Sequence, residues 1–269
     1  MFNISKFYKK SIFIGLLTVS FWCLTIGNLF AEQIVARGSD STINVVQALA
    51  KAFQEKSGMS IKVEGGGSSK GAKACLAGQV PLAFMSRAPK SKETSAGLVA
   101  MAYAIDGVAV VVNANNPIND IELDILKAIY IGKVTKWDSG KPVMAINRPA
   151  TSGTREVFQH KVLGKGVDFS PRILIKHDKA AQVTVSKAVT AIAFTSAGAL
   201  SDQTNLKVLT VNKVAPTSET LRNGTYPIAR TLHFATKGTP SGKVKEFLDF
   251  VQSNEGQQII TQAGFVTLR

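Results

Sequence analysis

The amino-acid sequence predicts an α/β fold in which short apolar strands alternate with amphipathic helices. Two observations support this: three strand-like segments each end in a turn of small polar residues, and a helical pattern begins directly after each turn. The chain has 269 residues, 45% hydrophobic and 19% charged, which suffices for one large domain or two lobes and excludes a disordered chain. Because ligands of open α/β sheets bind beyond the carboxyl ends of strands, these polar turns are the first candidates for function.

Residues 1–31 have the pattern of a secretory signal peptide. A basic start precedes an apolar run over Ile12–Ile26, and the small residue Ala31 stands at the expected cleavage point. An uncleaved membrane anchor and lipid attachment at Cys23 are the alternatives. We therefore expect a periplasmic protein, or else a secreted one. After cleavage Cys75 would be the only cysteine left, so no internal disulfide could form. The basic residues of the start are Lys6, Lys9 and Lys10.

Apolar or alternating segments predict the strands, because a strand points successive side chains to opposite faces. Residues 108–112 are apolar throughout, which is typical of a strand buried on both faces. The predicted strands cover residues 34–36, 60–64, 82–85, 107–113, 144–147, 191–194 and 206–211, and an extended segment covers 226–236.

Apolar residues three or four positions apart predict the helices. After the first polar turn, Val45, Val46, Leu49 and Phe53 follow this spacing, and Gly58 ends the pattern. The other helices are predicted from the second polar turn to residue 78, at 123–131, from 151–156 onward to about 162, at 183–188 and at 241–263.

Three polar turns, at Ser39–Thr42, Gly67–Gly71 and Ser152–Thr154, combine hydroxyl side chains or glycine with the start of a helix. The N-terminus of a helix presents unpaired N–H groups and a partial positive charge, so such a turn can bind an anion. Ordinary helix capping explains any one of them equally well. Arg87 and Arg148 also follow predicted strands, and the combination favours an anion site.

No sequence pattern for catalysis, a metal or a cofactor is present. The histidines lack metal-ligand spacing, and the chain contains no Walker A loop, no Gly-x-Gly-x-x-Gly motif and no Gly-x-Ser-x-Gly motif. We therefore expect neither an enzyme nor a cofactor. The net charge of +14 comes from scattered basic residues rather than a stripe with interleaved aromatic residues, so nucleic acid is not the expected partner. The histidines are His160, His177 and His233.

Seven segments carry a resemblance to a known family: residues 38–42, 65–71, 85–87, 106–113, 131–137, 147–155 and 226–230. Arg-x-x-x-Ser-Gly-Thr at 148–154 and Gly-Lys-x-x-x-Trp at 132–137 are the most specific. In sequence and order the segments resemble the periplasmic phosphate-binding proteins of ABC-type phosphate transporters, over nearly the whole chain after the predicted signal peptide.

The resemblance implies a two-lobed periplasmic-binding-protein architecture of type II-like form, with inorganic phosphate in the cleft between the lobes. Lobe I would comprise residues 32–107 and 228–269, and lobe II residues 108–227. The chain would cross between them near 106–109 and 226–230. A transporter permease and an ATPase are the implied partners of a protein that we expect to be a monomer.

The expected phosphate-binding residues are Ser39, Asp40, Ser41, Ser68, Ser69, Arg87, Asp106, Arg148, Ser152, Gly153 and Thr154. Some family members place an aspartate after the third strand, where it accepts the phosphate proton, but this chain has Ser86-Arg87 there. Asp106 is our first candidate for the acceptor and Asp40 the second, and we expect Arg87 or Arg148 to pair with that carboxylate or with the ligand. Asp106 could instead be a hinge carboxylate that contacts no ligand.

Two alternatives to phosphate transport stay open. The same fold could bind another oxyanion, such as sulfate, molybdate or tungstate. A secreted protein of this fold could also serve mainly in adhesion or sensing.

Overall fold

The computed structural model describes residues 33–170, 173–200 and 205–268. The predicted signal peptide, its cleavage point and Cys23 lie outside the described residues. Strands and helices alternate as predicted, so the α/β fold class is confirmed. None of the helices in the described part of the chain is long and apolar enough to span a membrane.

The strands are β1 Ile34–Gly38, β2 Ile61–Glu64, β3 Leu82–Met85, β4 Leu98–Asn113, β5 Asp120–Ile121, β6 Met144–Asn147, β7 Ile173–Leu174, β8 Ala191–Ser196, β9 Leu206–Val208, β10 Thr210–Val211 and β11 Ala229–Lys237. The helices are α1 Ile43–Ser57, α2 Ser68–Leu76, α3 Ser91–Ser95, α4 Leu123–Tyr130, α5 Gly153–Phe158, α6 Asp178–Lys187, α7 Ser218–Arg222, α8 Gly242–Gln252 and α9 Asn254–Gln262. A 3₁₀ turn at Asp40–Thr42 precedes α1, and a π-helical turn at Gln159–Leu163 continues α5.

Strand β4 connects two differently organised halves of a nine-stranded sheet with the order β2-β1-β3-β11-β4-β8-β6-β7, in which β9 also pairs with β4. Its first part, through Gly107, pairs antiparallel with β11. From Val108 onward it pairs with β8 and then with β9. The parallel strands β1, β2 and β3 therefore belong to one half, and the parallel strands β6, β7 and β8 to the other.

Each half of the sheet has its own hydrophobic core. The first core packs helices α1, α8 and α9 against β1, β3 and β11, with Phe53, Phe234 and Phe247 fully or almost fully buried. The second core packs α4 and α5 against β4 and β8, where the rings of Phe158 and Phe194 stack with centroids 4.2 Å apart. Strands β4 and β11 connect the two cores, and one core packs on each side of the polar turns.

Several sequence-based boundaries differ from the structure; the helix predicted at 183–188, for example, begins at Asp178. Strand β4 begins at Leu98 rather than at 107, because its first part pairs with β11 and is less completely buried than the apolar run that marks the strand in the sequence. The predicted helix at 241–263 is two helices, because Ser253 is extended and caps α9 by accepting a hydrogen bond from the N–H of Gly256 at 3.2 Å. The predicted strand at 206–211 is divided between β9 and β10.

Helix α2 approaches β1 more closely than a side chain would allow. A Cβ on Gly71 would overlap the carbonyl oxygen of Arg37 and lie 2.8 Å from the Cα of Gly38. This contact holds the second polar turn against the end of β1, where the first polar turn begins.

We expect Gly71→Ala to lower the free energy of unfolding by about 1–3 kcal/mol, because the methyl group forces α2 away from β1. Elsewhere in a helix the same change stabilises by up to about 1 kcal/mol, so the sign is diagnostic. Urea denaturation measures the change, with exposed Lys73→Ala on the same helix as the control. An unchanged or increased stability for Gly71→Ala would contradict the close packing.

Candidate anion-binding site

The three polar turns meet at the carboxyl ends of their strands, as the sequence predicts. The N–H of Ser39 donates to the carbonyl of Phe84 at 2.9 Å, which ties the first turn to the end of β3. The N–H of Gly67 donates to the carbonyl of Gly38 at 2.8 Å, and the N–H of Ser69 reaches the carbonyl of Thr151 at 3.3 Å. Backbone contacts therefore place all three turns side by side.

A group of serine hydroxyls lies on the first-core side of this meeting point. The hydroxyl of Ser39 donates to that of Ser86 at 2.9 Å, and the hydroxyls of Ser68 and Ser86 are 3.3 Å apart. All three side chains are buried. Ser68 also accepts a hydrogen bond from the N–H of Ser86 at 3.0 Å, so the second turn is fixed to the end of β3.

The third turn completes this group from the second-core side. The hydroxyls of Ser41 and Thr154 are 2.6 Å apart, and both are buried. A Cβ on Gly153 would overlap the hydroxyls of Ser68 and Ser86, so only glycine allows this approach. Ser152 caps α5 by accepting from the N–H of Arg155 at 3.2 Å. Hydroxyl groups from both halves of the protein therefore share one buried space.

Arg148 and Asp178 form a buried ion pair beside these hydroxyls. Arg148 Nη1 lies 2.6 Å from Asp178 Oδ1, and both side chains are at least 95% buried. Burial alone would raise the pKa of Asp178, but the charge of Arg148 and the hydroxyls of Ser41 and Thr195 outweigh it and hold the pKa below its usual value. The carboxyl group is therefore ionised, and it neutralises Arg148.

A second buried ion pair, between Asp106 and Arg230, corrects a sequence-based expectation. We expected Arg87 or Arg148 to pair with this carboxylate or with the ligand, but the partner of Asp106 is Arg230, whose Nη2 lies 2.6 Å from Asp106 Oδ2. The reason is the register of the sheet, which places Arg230 on β11 directly opposite Asp106 on β4. Arg230 also donates to the hydroxyl of Thr154 at 2.8 Å, so it orients a residue of the third turn.

Arg87 is engaged by carboxylates rather than left free to face an anion. Its guanidinium group lies 2.7 Å from Glu93 Oε1, and its Nε lies 3.0 Å from Glu156 Oε2 on α5. Lys90 contacts the same carboxylate of Glu156 at 2.9 Å. Arg87 also donates to the hydroxyl of Ser69 at 3.3 Å. These contacts join the first-core side to α5 by charge.

The remaining candidate, Asp40, lies at the margin of the cluster of serine and threonine hydroxyls. Its Oδ1 accepts from the N–H of Gly66 at 2.9 Å and lies 3.6 Å from Nδ1 of exposed His177.

The described residues hold no group of three or more histidine, cysteine, aspartate or glutamate side chains that could bind a metal ion. A cavity of about 480 Å³ elsewhere, near Ile129 and Pro142, has no charged side chain in its lining.

Comparison with known proteins assigns the family. A family model for the PBP superfamily domain matches residues 27–255. The phosphate-binding protein PstS of Bacillus subtilis is 30% identical over 242 residues, which cover 87% of this chain and 80% of the relative. The chain belongs to the PstS family. The resemblance inferred from the sequence segments is thereby confirmed.

Solved structures of PstS-like proteins have the same fold. A protein of Clostridium perfringens described as a phosphate ABC transporter substrate-binding protein, solved with bound phosphate, matches with a TM-score of 0.83 and 30% identity, over 88% of this chain and all of that chain. A phosphate transport receptor of Vibrio cholerae matches with a TM-score of 0.75 and 25% identity, over 87% of this chain and 99% of that one. The two-lobed architecture is confirmed.

Sequence reasoning misses four groups at this candidate site. Ser86 was noted only as the absence of an aspartate, although its hydroxyl joins Ser39 and Ser68. Arg230 lay within a recognised segment but received no role. Asp178 and Thr195 lie outside every recognised segment, and the hydroxyl of Thr195 donates to Asp178 at 2.8 Å. The available signal is position, because Asp178 is the first residue of α6 and Thr195 is the last but one of the apolar strand β8.

The ion pair of Glu93 with Arg87 predicts a dependence of stability on pH. Burial raises the pKa of Glu93, but hydrogen bonds from Arg87 and from the N–H of Lys90 outweigh it, so the pKa lies below the ordinary value of 4.5. The unfolded chain therefore binds this proton more tightly than the folded one. The contribution of Glu93 to stability is complete above the unfolded pKa and is lost as the pH falls through the lower, folded pKa.

We expect Glu93→Gln to lower the free energy of unfolding by about 1–3 kcal/mol at pH 7. The difference from wild type should shrink as the pH falls below the ordinary value of 4.5, because the unfolded chain then takes up the proton before the folded one does. Thermal denaturation across pH measures both effects. Glu55→Gln is the control, because its 3.9 Å pair with Lys51 is exposed. A difference that stays constant down to pH 3 would contradict the assignment.

Proposed function

We propose that this protein captures inorganic phosphate between two lobes and delivers it to an ABC transporter. The observation that carries the proposal is the 2.6 Å contact between the hydroxyls of Ser41 and Thr154, which brings the first and third turns together from opposite cores. The proposed lobe I comprises residues 32–107 and 228–269, and lobe II residues 108–227. The change of partner along β4 after Gly107 supports this boundary.

The ligand would be held mainly by hydroxyl and N–H donors. Ser39, Ser41, Ser68, Ser152 and Thr154 offer hydroxyls, and a phosphate can accept several hydrogen bonds at once. A buried site of low dielectric strengthens each such bond. The backbone N–H groups of Gly153 and Thr154 would add donors that require no side chain. The N–H of Ser69, which we also expected to serve the ligand, donates instead to the carbonyl of Thr151 at 3.3 Å.

Arg148 is the proposed charged contact with phosphate. Its Nε is buried and has no hydrogen-bond partner among the described residues, so it keeps a donor for the ligand while Nη1 faces Asp178. Arg87 and Asp106 would act differently. Their ion pairs with Glu156 and Arg230 would hold the lobes and the crossing strands in position.

The site would supply binding without catalysis. No cofactor is required, since capture and release of phosphate involve no covalent change. We propose that the protein acts as a monomer in the periplasm, or outside the cell, and docks on the permease of a transporter driven by an ATPase. The names of the Bacillus subtilis and Vibrio cholerae proteins support this assignment.

Titration calorimetry on the purified chain, with its leader removed, tests the proposal. Phosphate should bind at one site. It should also raise the temperature of thermal unfolding, because a ligand that binds only the folded protein stabilises it. Sulfate, molybdate and tungstate, titrated separately, identify any other oxyanion as the true ligand. A role in adhesion or sensing alone would leave cellular function intact in a variant that no longer binds phosphate, such as Arg148→Ala.

We expect Thr154→Val to weaken phosphate binding by about tenfold or more, because it removes a buried hydroxyl shared with Ser41 and Arg230 while keeping the side-chain shape. The matched control is Thr236→Val, a buried threonine whose hydroxyl donates to the carbonyl of Gly238 at 2.8 Å. Calorimetry gives both affinities. Equal loss in the two variants would contradict a ligand role for Thr154.

A further inference from the structure

Three carboxylates lie near the cluster of buried serine and threonine hydroxyls. They differ in how many of their oxygens accept hydrogen bonds. Both oxygens of Asp106 are occupied: Oδ2 accepts from Arg230 and from the hydroxyl of Ser196 at 2.8 Å, and Oδ1 accepts from the N–H of Gly198 at 3.0 Å. Asp40 is bonded through Oδ1 to the N–H of Gly66. Because each oxygen of Asp106 already has a donor within the protein, we do not propose it as the proton acceptor.

Asp178 differs from Asp106 because its bonds are confined to one oxygen, and from Asp40 because its other oxygen is buried without a partner. Oδ1 accepts from the hydroxyl of Thr195 at 2.8 Å and from the N–H of Ser196 at 3.2 Å, and it faces Arg148. Oδ2 is buried and makes no hydrogen bond with any residue the structure describes. A buried carboxylate oxygen without a donor is costly, so such an atom calls for a partner.

The missing partner would come from the anion space. Ser41, whose hydroxyl contacts Thr154, is also the neighbour that helps to lower the pKa of Asp178. Arg148 Nε, the free donor, belongs to the ion-pair partner of the same carboxylate. The unpartnered donor Arg148 Nε and the unpartnered acceptor Asp178 Oδ2 therefore belong to one ion pair beside the cluster of serine and threonine hydroxyls.

We propose that Asp178 is the residue that selects the protonated oxyanion, by accepting a hydrogen bond from the ligand's own O–H at Oδ2. This rests on the proposed phosphate-binding function and names its determinant of specificity. No proton needs to be transferred: the ligand keeps its proton and shares it with the carboxylate, while Arg148 Nε donates to another ligand oxygen.

The same arrangement would reject a fully deprotonated anion. Sulfate at neutral pH has no O–H, so one of its oxygens would face the lone pairs of Asp178 Oδ2 without a proton between them. Arg148 cannot offset this repulsion by charge alone, because Asp178 already neutralises it. Arg230 and Arg87 are likewise paired with carboxylates. Hydrogen-bond direction, rather than net charge, would therefore decide which anion binds.

Calorimetry with phosphate, sulfate and monofluorophosphate on the wild-type protein provides the first test. Monofluorophosphate is nearly the same shape as hydrogen phosphate and carries the same charge, but it has no proton to donate at neutral pH. We expect it and sulfate to bind at least about tenfold more weakly than phosphate. This arm needs no variant, so it does not depend on the folding of a mutant.

The second test compares Asp178→Asn with Asp106→Asn. The two variants remove one negative charge each from equally short, buried ion pairs, both 2.6 Å long. In Asp178→Asn the amide can donate to a ligand oxygen, so the ratio of phosphate to sulfate affinity should fall by at least about tenfold. In Asp106→Asn the ratio should stay as in wild type, whatever happens to the affinities.

The outcomes separate this inference from the function on which it rests. If the wild-type protein binds no phosphate, the proposed function fails, and the inference fails with it. If it binds phosphate but binds monofluorophosphate equally well, only the inference is overturned. An unchanged phosphate-to-sulfate ratio in folded Asp178→Asn, or an equal fall in Asp106→Asn, overturns it as well.

Discussion

Each arginine buried at the meeting point of the polar turns is balanced by a carboxylate. Arg148 pairs with Asp178, Arg230 with Asp106, and Arg87 with Glu93 and Glu156. The cost of burying an unpaired charge imposes this arrangement, because the three arginine side chains are almost completely buried. As a result, the site confronts a ligand with oriented donors and acceptors rather than with excess positive charge. The net charge of +14 then concerns the encounter with an anion more than its recognition.

The Asp106–Arg230 pair also links the fold to the site. It bridges β4 and β11 where β4 changes partners from one half of the sheet to the other. Arg230 extends from there to the hydroxyl of Thr154, so the crossing strands and the third turn are held by one guanidinium group. Any movement of the lobes about these strands would therefore be transmitted to a hydroxyl of the proposed phosphate site.

The sequence predicted the features that depend on neighbouring residues. Ser39, Gly67 and Ser152 were found because a strand end, a small polar turn and a helix start follow one another along the chain. Val108–Val112 were found because they are apolar without interruption. The family resemblance added phosphate as the expected anion and the two-lobed architecture. Each of these local predictions depends on a pattern that is complete within a short stretch of the sequence.

Features that depend on distant pairings could not be predicted. The partner of Asp106 follows from the register of β11 against β4, which brings together residues 124 positions apart. Asp178 reaches the site because α6 begins beside the end of β8, and no motif marks it. The break at Ser253 was missed because the apolar spacing continues through it, whereas the cap on Gly256 becomes visible only in the structure.

A crystal structure of the chain with phosphate, at a resolution that separates the ligand oxygens, tests the central claim most directly. Our account places the phosphate between the first, second and third turns, in contact with Ser41, Ser68, Thr154 and Arg148, with one ligand oxygen within hydrogen-bond distance of Asp178 Oδ2. A phosphate bound elsewhere, or one held by a single lobe while Asp178 Oδ2 contacts other protein groups, would contradict it.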